Sequence, residues 1–280
     1  MERLRCISFI LAIWSMTLLA ASADKPNIIL ILADDLGYAD LSVQGCKQFD
    51  TPHIDSIFKN GVRFTRGYVS NSVCAPSRAG LLTGRFGSRF GFEANLPKAS
   101  HKPDSIIGLD PKQRTIANIM KAGGYKTYCI GKWHLGYNVK LFHPQKRGFD
   151  HFFGLLGGSR SYWPMENGDK GKVLQEDGNY LIEKKMKKFY LTDLLTDKAI
   201  EYIKKNHGKT DAPPFFMYLS YTAPHGPWHA KPEDIARVKG DVKNQRRKVY
   251  GGMVINMDDN VGRLLKCLDD QKLPRPGARG

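Results

Sequence analysis

The chain has 280 residues, of which 41% are hydrophobic and 25% are charged, as in an ordinary globular protein with one large core. Five cysteines are too few for a disulfide scaffold. The net charge is +16, yet no nucleic-acid-binding motif accompanies it, so we expect no nucleic-acid partner.

The first 23 residues have the three parts of a secretory signal peptide. Arg3 and Arg5 form a basic start, residues 6–20 are an apolar run, and residues 21–23 form an A-x-A cleavage site. The apolar run is too short for a transmembrane anchor. We therefore expect cleavage before Asp24, a secreted or periplasmic product with no stable membrane anchor, and one domain over residues 24–280.

Residues 26–33 form a continuous apolar run, which predicts a strand buried on both faces of a parallel sheet. Asp34 and Asp35 follow it directly. Two adjacent carboxylates at the end of a buried strand are costly unless something pairs with them. A hard cation bound through oxygen would do so, whereas two solvated loop acids are the simpler alternative.

Residues 72–84 place Cys74, Pro76 and Arg78 ahead of a short apolar run. Because a proline suits the first turn of a helix, we predict a helix that begins at Cys74, with Leu81 and Leu82 facing a core. Free amides and the helix dipole would then lie beside the sulfur, and Arg78 would add donors suited to an oxyanion. For a lone cysteine, a buried structural role would be the simpler interpretation.

The other periodic segments alternate between helix and strand. Further helices are predicted over residues 51–61, with Thr51 as N-cap, and over 115–122, 191–205 and 249–268; further strands are predicted over 61–68, 125–130 and 214–221. We expect His53 and Asp55 at the surface. Residues 86–111 are predicted to be a loop that rims the site, where His101 and Lys102 would touch substrate or simply be solvated.

Polar residues also follow two of these later strands. Lys132 and His134 lie two residues apart after the strand at 125–130, so both can point in the same direction. His225 follows the strand at 214–221. In an open α/β sheet the ligand site lies outside the carboxyl ends of the strands, so these groups are expected to meet there.

Several of these segments resemble the signatures of type I sulfatases. Residues 74–84 match C-x-P-S-R followed by x-x-L-L-T-G at every position, and residues 124–134 match the second sulfatase signature. Residues 147–154 resemble the R-G-F-D-x-F-F-G turn, and His225 matches the P-H-x-P histidine. The resemblance implies the fold of the alkaline-phosphatase superfamily, an open, mostly parallel α/β sheet sandwiched by helices.

The resemblance also implies the catalytic residues. In this family the cysteine is oxidised to formylglycine by a formylglycine-generating enzyme, which would act here on Cys74. Arg78 and Lys132 would hold the formylglycine hydroxyls, His134 would accept a proton, and His225 would protonate the leaving alcohol.

The metal site implied by the resemblance holds calcium, bound by Asp34, Asp35 and the modified Cys74. In the family, a later core strand ending in S-D-N-G adds an Asp and an Asn, and a smaller C-terminal domain follows. Residues 273–280 carry no strand signal. The resemblance therefore predicts the front part of a sulfatase, with weak calcium binding and negligible turnover for the chain as written.

The function implied is hydrolysis of sulfate esters. Basic segments at 184–188 and 237–248 would attract a polyanion such as a sulfated glycan, although a solvated basic surface is as good an interpretation. One alternative is a catalytically inactive, secreted module that binds sulfated glycans. Another is a phosphatase or phosphodiesterase of the same superfamily, against which the cysteine at position 74 argues.

Overall fold

A computed structural model describes residues 25–102, 104–166, 171–207 and 212–273. The predicted signal peptide and the last seven residues lie outside these ranges. None of the described helices combines the length and the apolar character needed to cross a membrane. The four described cysteines are free of disulfide bonds.

The core of the fold is a six-stranded sheet. Its strands in chain order are β1 (Ile28–Asp34), β2 (Lys126–Lys132), β3 (His151–Leu155), β4 (Gln175–Glu176), β5 (Asn179–Tyr180) and β6 (Phe215–Pro224). The order across the sheet is β1-β6-β2-β3-β4-β5. The first four strands in that order run parallel, and β4 and β5 add an antiparallel extension beside β3. The predicted open, mostly parallel sheet is therefore confirmed.

Six helices are described in these ranges. They are α1 (Pro52–Asn60), α2 (Cys74–Thr83), α3 (Ile116–Ala122), α4 (Leu191–His207), α5 (Pro232–Ile235) and α6 (Gln245–Asp270). Successive residues of a strand point to opposite faces, and β6 shows this clearly. Met217 packs in a cluster with residues of α4 and α6, whereas Tyr218 packs in a second cluster with residues of α2 and α3. The sheet thus lies between two helical layers, as predicted.

The predicted strand over residues 61–68 is wrong, because these residues form an irregular segment. Val62, Phe64 and Tyr68 are 77%, 83% and 87% exposed. An apolar alternation makes a strand only where a neighbouring strand can accept its backbone hydrogen bonds. Among the described residues, β1 is the last strand at this edge and pairs only with β6.

The N-terminus of α1 differs from the sequence prediction. The helix begins after Thr51 as expected, but the Thr51 side chain donates to Asp55 Oδ1 at 2.9 Å instead of capping a backbone amide. Asp258 of α6 supplies the cap and accepts from the amides of His53 and Ile54 at 3.3 and 2.7 Å. Asp55 is consequently buried, and its predicted surface position is wrong.

Gly131 allows β2 and β6 to approach each other closely. Its φ is +105°, and a Cβ built there would lie 1.9 Å from the Ser220 carbonyl oxygen. We expect Gly131→Ala to lower the free energy of unfolding by several kcal/mol, roughly 3 or more, because overlap with backbone adds to left-handed strain. Urea titration would measure this change.

Gly124→Ala is the matched control, since Gly124 has a φ of +85° but no atom within 4 Å of the added Cβ. It should cost only the conformational strain, about 1–2 kcal/mol. Equal losses for the two variants would contradict the close-approach explanation.

Candidate active site

The carboxyl ends of the parallel strands bring the predicted residues together. Asp34 is the last residue of β1, Lys132 is the last residue of β2, and His225 follows β6 directly. Cys74 is the first residue of α2, whose N-terminus lies beside them. The pattern of apolar strands ending in polar residues therefore predicts this edge of the sheet correctly.

Asp34 is the centre of a buried ion network. Its carboxylate is 2.6 Å from Lys132 Nζ and 3.2 Å from Arg78 Nη2, and all three side chains are at most 7% exposed. Burial alone would raise the pKa of Asp34, but the charges of Arg78 and Lys132 outweigh it and hold that pKa below its usual value. The aspartate is therefore ionised, and it orients two cations toward the end of the sheet.

Arg78 is fixed by several acceptors besides Asp34. Its Nη1 donates to the Lys132 carbonyl at 3.0 Å, to Tyr218 Oη at 3.1 Å and to Ser220 Oγ. Its Nη2 is buried and makes no hydrogen bond with any described residue, although it faces Asp34. The sequence predicts that the Arg78 guanidinium donates to an oxyanion, and Nη2 is free to do so.

The N-terminus of α2 presents the Cys74 thiol to His225. The hydrogen bond from His225 is the largest influence on the thiol and lowers its pKa, an effect that outweighs burial. The same contact raises the pKa of His225. One residue along, the Ala75 amide donates to the Asn95 side-chain oxygen at 3.0 Å, so Asn95 steadies the first turn of the helix. The predicted helix is confirmed, although Leu81 is 39% exposed and only Leu82 faces the core.

His134 lines the same cavity as Cys74 and His225. Its φ is +58°, in the left-handed region, and its side chain is buried. Burial, followed by the charge of Lys132, lowers the pKa of His134 to about 3, so the ring is neutral. Its Nδ1 has no hydrogen-bond partner among the described residues, and Gly158 leaves room for the ring, since a Cβ there would lie 2.6 Å from Cε1.

A cavity of about 320 Å³ opens above these groups. Cys74, His134 and His225 line it, together with His101 and Lys172. His101 packs against Tyr137 with ring centroids 4.2 Å apart, so the predicted loop does contribute to the rim; Lys102 does not line this cavity.

Two residues of this site, Lys172 and the helix-steadying Asn95, were missed by the sequence reasoning. Both lie in irregular segments that carry no periodic signal, and only the resemblance, which covers these segments without naming residues there, could have suggested them.

A smaller cavity, of about 190 Å³, is also lined by Cys74, together with Asp34 and Asp35. Asp35 has a φ of +61°, its side chain is 63% exposed, and His225 Nε2 lies 3.6 Å from its Oδ2. Two carboxylates with an open space beside them form an oxygen donor set that fits a hard cation such as calcium. The described residues thus fit part of the expected site.

Another acidic cluster, formed by His53, Asp258 and Asp259, has ligand atoms within 4.8 Å of one another. Its carboxylates already have structural partners. Asp258 caps α1, and Asp259 pairs with Arg237 through both oxygens. Both carboxylates are therefore engaged in contacts within the protein.

Comparison with known proteins identifies the family. The family model described as Sulfatase matches residues 26–277. The chain is a member of the sulfatase family. It is 34% identical over 277 residues to N-acetylgalactosamine-6-sulfatase of Mus musculus, which covers 93% of this chain and 50% of that protein. It is 32% identical over 270 residues to arylsulfatase G of Canis lupus familiaris, covering 88% of this chain and 48% of that protein.

Solved structures share the fold. The crystal structure of Ps i-CgsB in complex with k-i-k-neocarrahexaose superposes with a TM-score of 0.80 at 37% identity, covering 89% of this chain and 56% of that chain. A more distant neighbour, BT4656 in complex with D-glucosamine-2-N,6-O-disulfate, has a TM-score of 0.68 at 23% identity and supports the fold alone. The chain spans about half the length of the curated relatives it matches.

Proposed function

We propose that this protein hydrolyses sulfate esters of sulfated carbohydrates, with Cys74 converted to formylglycine as the nucleophile. The observation that carries the proposal is the convergence of a buried Arg78–Asp34–Lys132 network and two histidines around a cysteine at a helix N-terminus. Cys74 lines one cavity with the two histidines and a smaller one with Asp34 and Arg78. Such a set can hold an anion, activate a nucleophile and move protons on both sides of a tetrahedral centre.

Two groups beyond the unmodified chain are part of the proposal. Formylglycine at position 74 would supply a hydrated aldehyde, whose two hydroxyls would serve the attack on sulfur and the release of sulfate. Asp34, Asp35 and the modified residue 74 would hold calcium, which would supply positive charge for the sulfate oxygens.

The protein's own side chains then divide the work. Arg78 Nη2 and Lys132 Nζ balance the charge that develops on the sulfate, since Asp34 orients both cations. His225 delivers a proton to the ester oxygen as the bond from that oxygen to sulfur breaks. His134 is neutral, and its Nδ1 has no hydrogen-bond partner among the described residues. It can therefore accept the proton of the second hydroxyl of residue 74, whose removal releases sulfate.

The relatives suggest the substrate class. The name of N-acetylgalactosamine-6-sulfatase points to a sulfated sugar, and the Ps i-CgsB structure holds the oligosaccharide k-i-k-neocarrahexaose. The net charge of +16 would attract such polyanions. We also propose that residues 1–23 direct export, that the product is secreted or periplasmic, and that a formylglycine-generating enzyme is a partner during synthesis.

A catalytically inactive module that binds sulfated glycans is the second candidate, because the same positive charge would also attract glycans to a protein without activity. A chromogenic aryl sulfate separates the two, assayed with and without a chelator on protein made alongside the modifying enzyme. Chelator-sensitive release of sulfate supports the hydrolase. Glycan binding without any turnover supports the binding module.

The modification itself gives a direct prediction. Tryptic mass spectrometry of the peptide containing Cys74 should find the aldehyde or its hydrate in place of the thiol when the modifying enzyme is co-expressed. Cys129 is the control, since it is buried within the sheet. An unmodified thiol at position 74, despite modification of a known sulfatase in the same cells, would refute the assignment.

A further inference from the structure

A second open cavity lies beside the proposed active site and has no role in the mechanism above. Its volume is about 560 Å³, and its lining includes Trp163, Tyr190, Lys187, Lys188 and Lys231. The sequence placed a lysine cluster here without a structural context. The cavity joins that cluster to two aromatic rings.

The aromatic rings form a fixed platform. The ring centroids of Trp163 and Tyr190 are 5.2 Å apart at 64°, and Tyr190 also stacks on Tyr162 at 5.4 Å. Tyr190 is buried and its hydroxyl donates to the His229 carbonyl at 2.8 Å, whereas Trp163 is only partly buried. Trp163 therefore offers ring surface on a rigid support, as sites for sugar rings require.

The lysines of the lining provide positive charge at the same place. Lys188 Nζ lies 5.7 Å from the centroid of the Trp163 ring. Lys187 and Lys188 are exposed, and within the described ranges neither forms an ion pair. The next positions in the run, Lys184 and Lys185, are also exposed but do not line the cavity.

The acidic side chains of the lining are largely neutralised. Asp193 is 3.1 Å from Lys231 Nζ and accepts from Asn260 at 2.7 Å, while Asp197 pairs with Arg263. Glu233 is the one acid of the lining with no ion pair to a described residue. The lining therefore has two unpaired positive charges, on Lys187 and Lys188, against one unpaired negative charge, and the cavity favours an anion.

The position of this cavity connects it to the active site. Ser159 lines the active-site cavity and Trp163 lines the second one, so only three residues lie between them, a span of at most about 14 Å when extended. Between them, the Tyr162 hydroxyl donates to the carbonyls of Thr222 and His225 at 2.7 and 2.9 Å. The short segment that joins the two linings is thus anchored to the segment that carries the proposed acid.

We propose that this second cavity is a distal subsite for a sulfated polysaccharide, with a sugar ring on Trp163 and a sulfate group at Lys187 and Lys188. The choice of a sulfated glycan rests on the proposed function. The subsite holds a chain whose neighbouring sugar occupies the active-site cavity, and it increases affinity for polymers without acting on small sulfate esters.

Calorimetric titration with an iota-carrageenan hexasaccharide tests the subsite. A Cys74→Ala background prevents hydrolysis during the measurement. Replacing both Lys187 and Lys188 with Ala, or Trp163→Ala, should weaken binding roughly tenfold at low ionic strength. The double replacement of Lys184 and Lys185 with Ala removes the same charge outside the cavity and should weaken binding no more than about twofold. Glu233→Gln should strengthen binding, because it removes the unpaired negative charge.

Equal effects of the two lysine pairs would overturn the proposal, since they would indicate diffuse attraction to a basic surface. Equal binding of the desulfated hexasaccharide, or no measurable binding of the sulfated one, would also overturn it. If Trp163→Ala fails to fold, the lysine pairs decide the outcome. Failure of the proposed function has a different signature: binding that follows the cavity variants, with no turnover of any sulfate ester.

Discussion

Asp34→Asn should destabilise the protein by about 3 kcal/mol, because it removes the shared counter-charge of two buried cations. Arg78 and Lys132 are 2% and 0% exposed and both contact this carboxylate. Asparagine keeps the size of the side chain and one hydrogen-bond acceptor, so the loss reports mainly on the charge. Urea unfolding in the presence of chelator measures it without a contribution from bound metal.

Asp35→Asn is the matched control for this prediction. Asp35 is adjacent in sequence and carries the same charge, but its side chain is 63% exposed and asparagine tolerates its left-handed backbone. We expect a change within about 0.5 kcal/mol. A similar loss for both variants would show that the network around Asp34 does not carry the stability we assign to it.

Toward metal, the same pair should behave alike. In a chain extended to the length of its relatives, both replacements remove a proposed calcium ligand and should abolish chelator-sensitive turnover, while only Asp34→Asn unfolds at lower urea. The comparison therefore separates the structural role of Asp34 from the metal-binding role that the two aspartates share.

In a chain extended to the length of its relatives, His225→Ala should lower turnover by a factor of roughly 10² to 10⁴ on sulfate esters with poor leaving groups, and far less on activated aryl sulfates. A good leaving group departs without a proton, so the loss should grow as the pKa of the leaving alcohol rises. A series of substituted aryl sulfates, compared with an alkyl sulfate, measures this slope. The protein must first be shown to carry the modified residue 74.

His229→Ala is the control for that experiment. His229 lies four residues further along, and its ring is 3.4 Å from Ser161 Oγ and outside the lining of the active-site cavity. It should leave the slope unchanged. Equal losses across all leaving groups for His225→Ala would remove it from the role of acid and leave it as a binding residue.

Most of the fold could be predicted from the sequence because its strands have a recognisable local pattern. Continuous apolar runs such as residues 26–33 and 214–221 are typical of strands buried on both faces, and the observed β1 and β6 overlap them. The prediction failed at residues 61–68, where local alternation exists but no described strand accepts the hydrogen bonds. Strand formation there depends on a partner, which a local pattern cannot reveal.

The active site shows the same contrast between local features, which the sequence reveals, and long-range contacts, which it does not. The position of each candidate along the chain follows from motifs and from the ends of strands, so Cys74, Asp34 and Lys132 were assigned correctly to one edge of the sheet. Their pairing was not readable, because the contact from Lys132 to Asp34 joins residues 98 positions apart. No local rule distinguishes Asp34, which is buried between two cations, from its exposed neighbour Asp35.

By itself, the sequence determined the family resemblance, the order of strands and helices, and the residue types available for chemistry. Only the tertiary structure decided how these residues are used. Arg78 donates through Nη1 to backbone and hydroxyl acceptors, and Asn95 accepts a hydrogen bond from the first turn of the Cys74 helix. Lys187, Lys188 and Trp163 line one cavity together. The physical reason is that burial and pairing of charges depend on groups distant in sequence, whereas periodicity and turn chemistry depend on near neighbours.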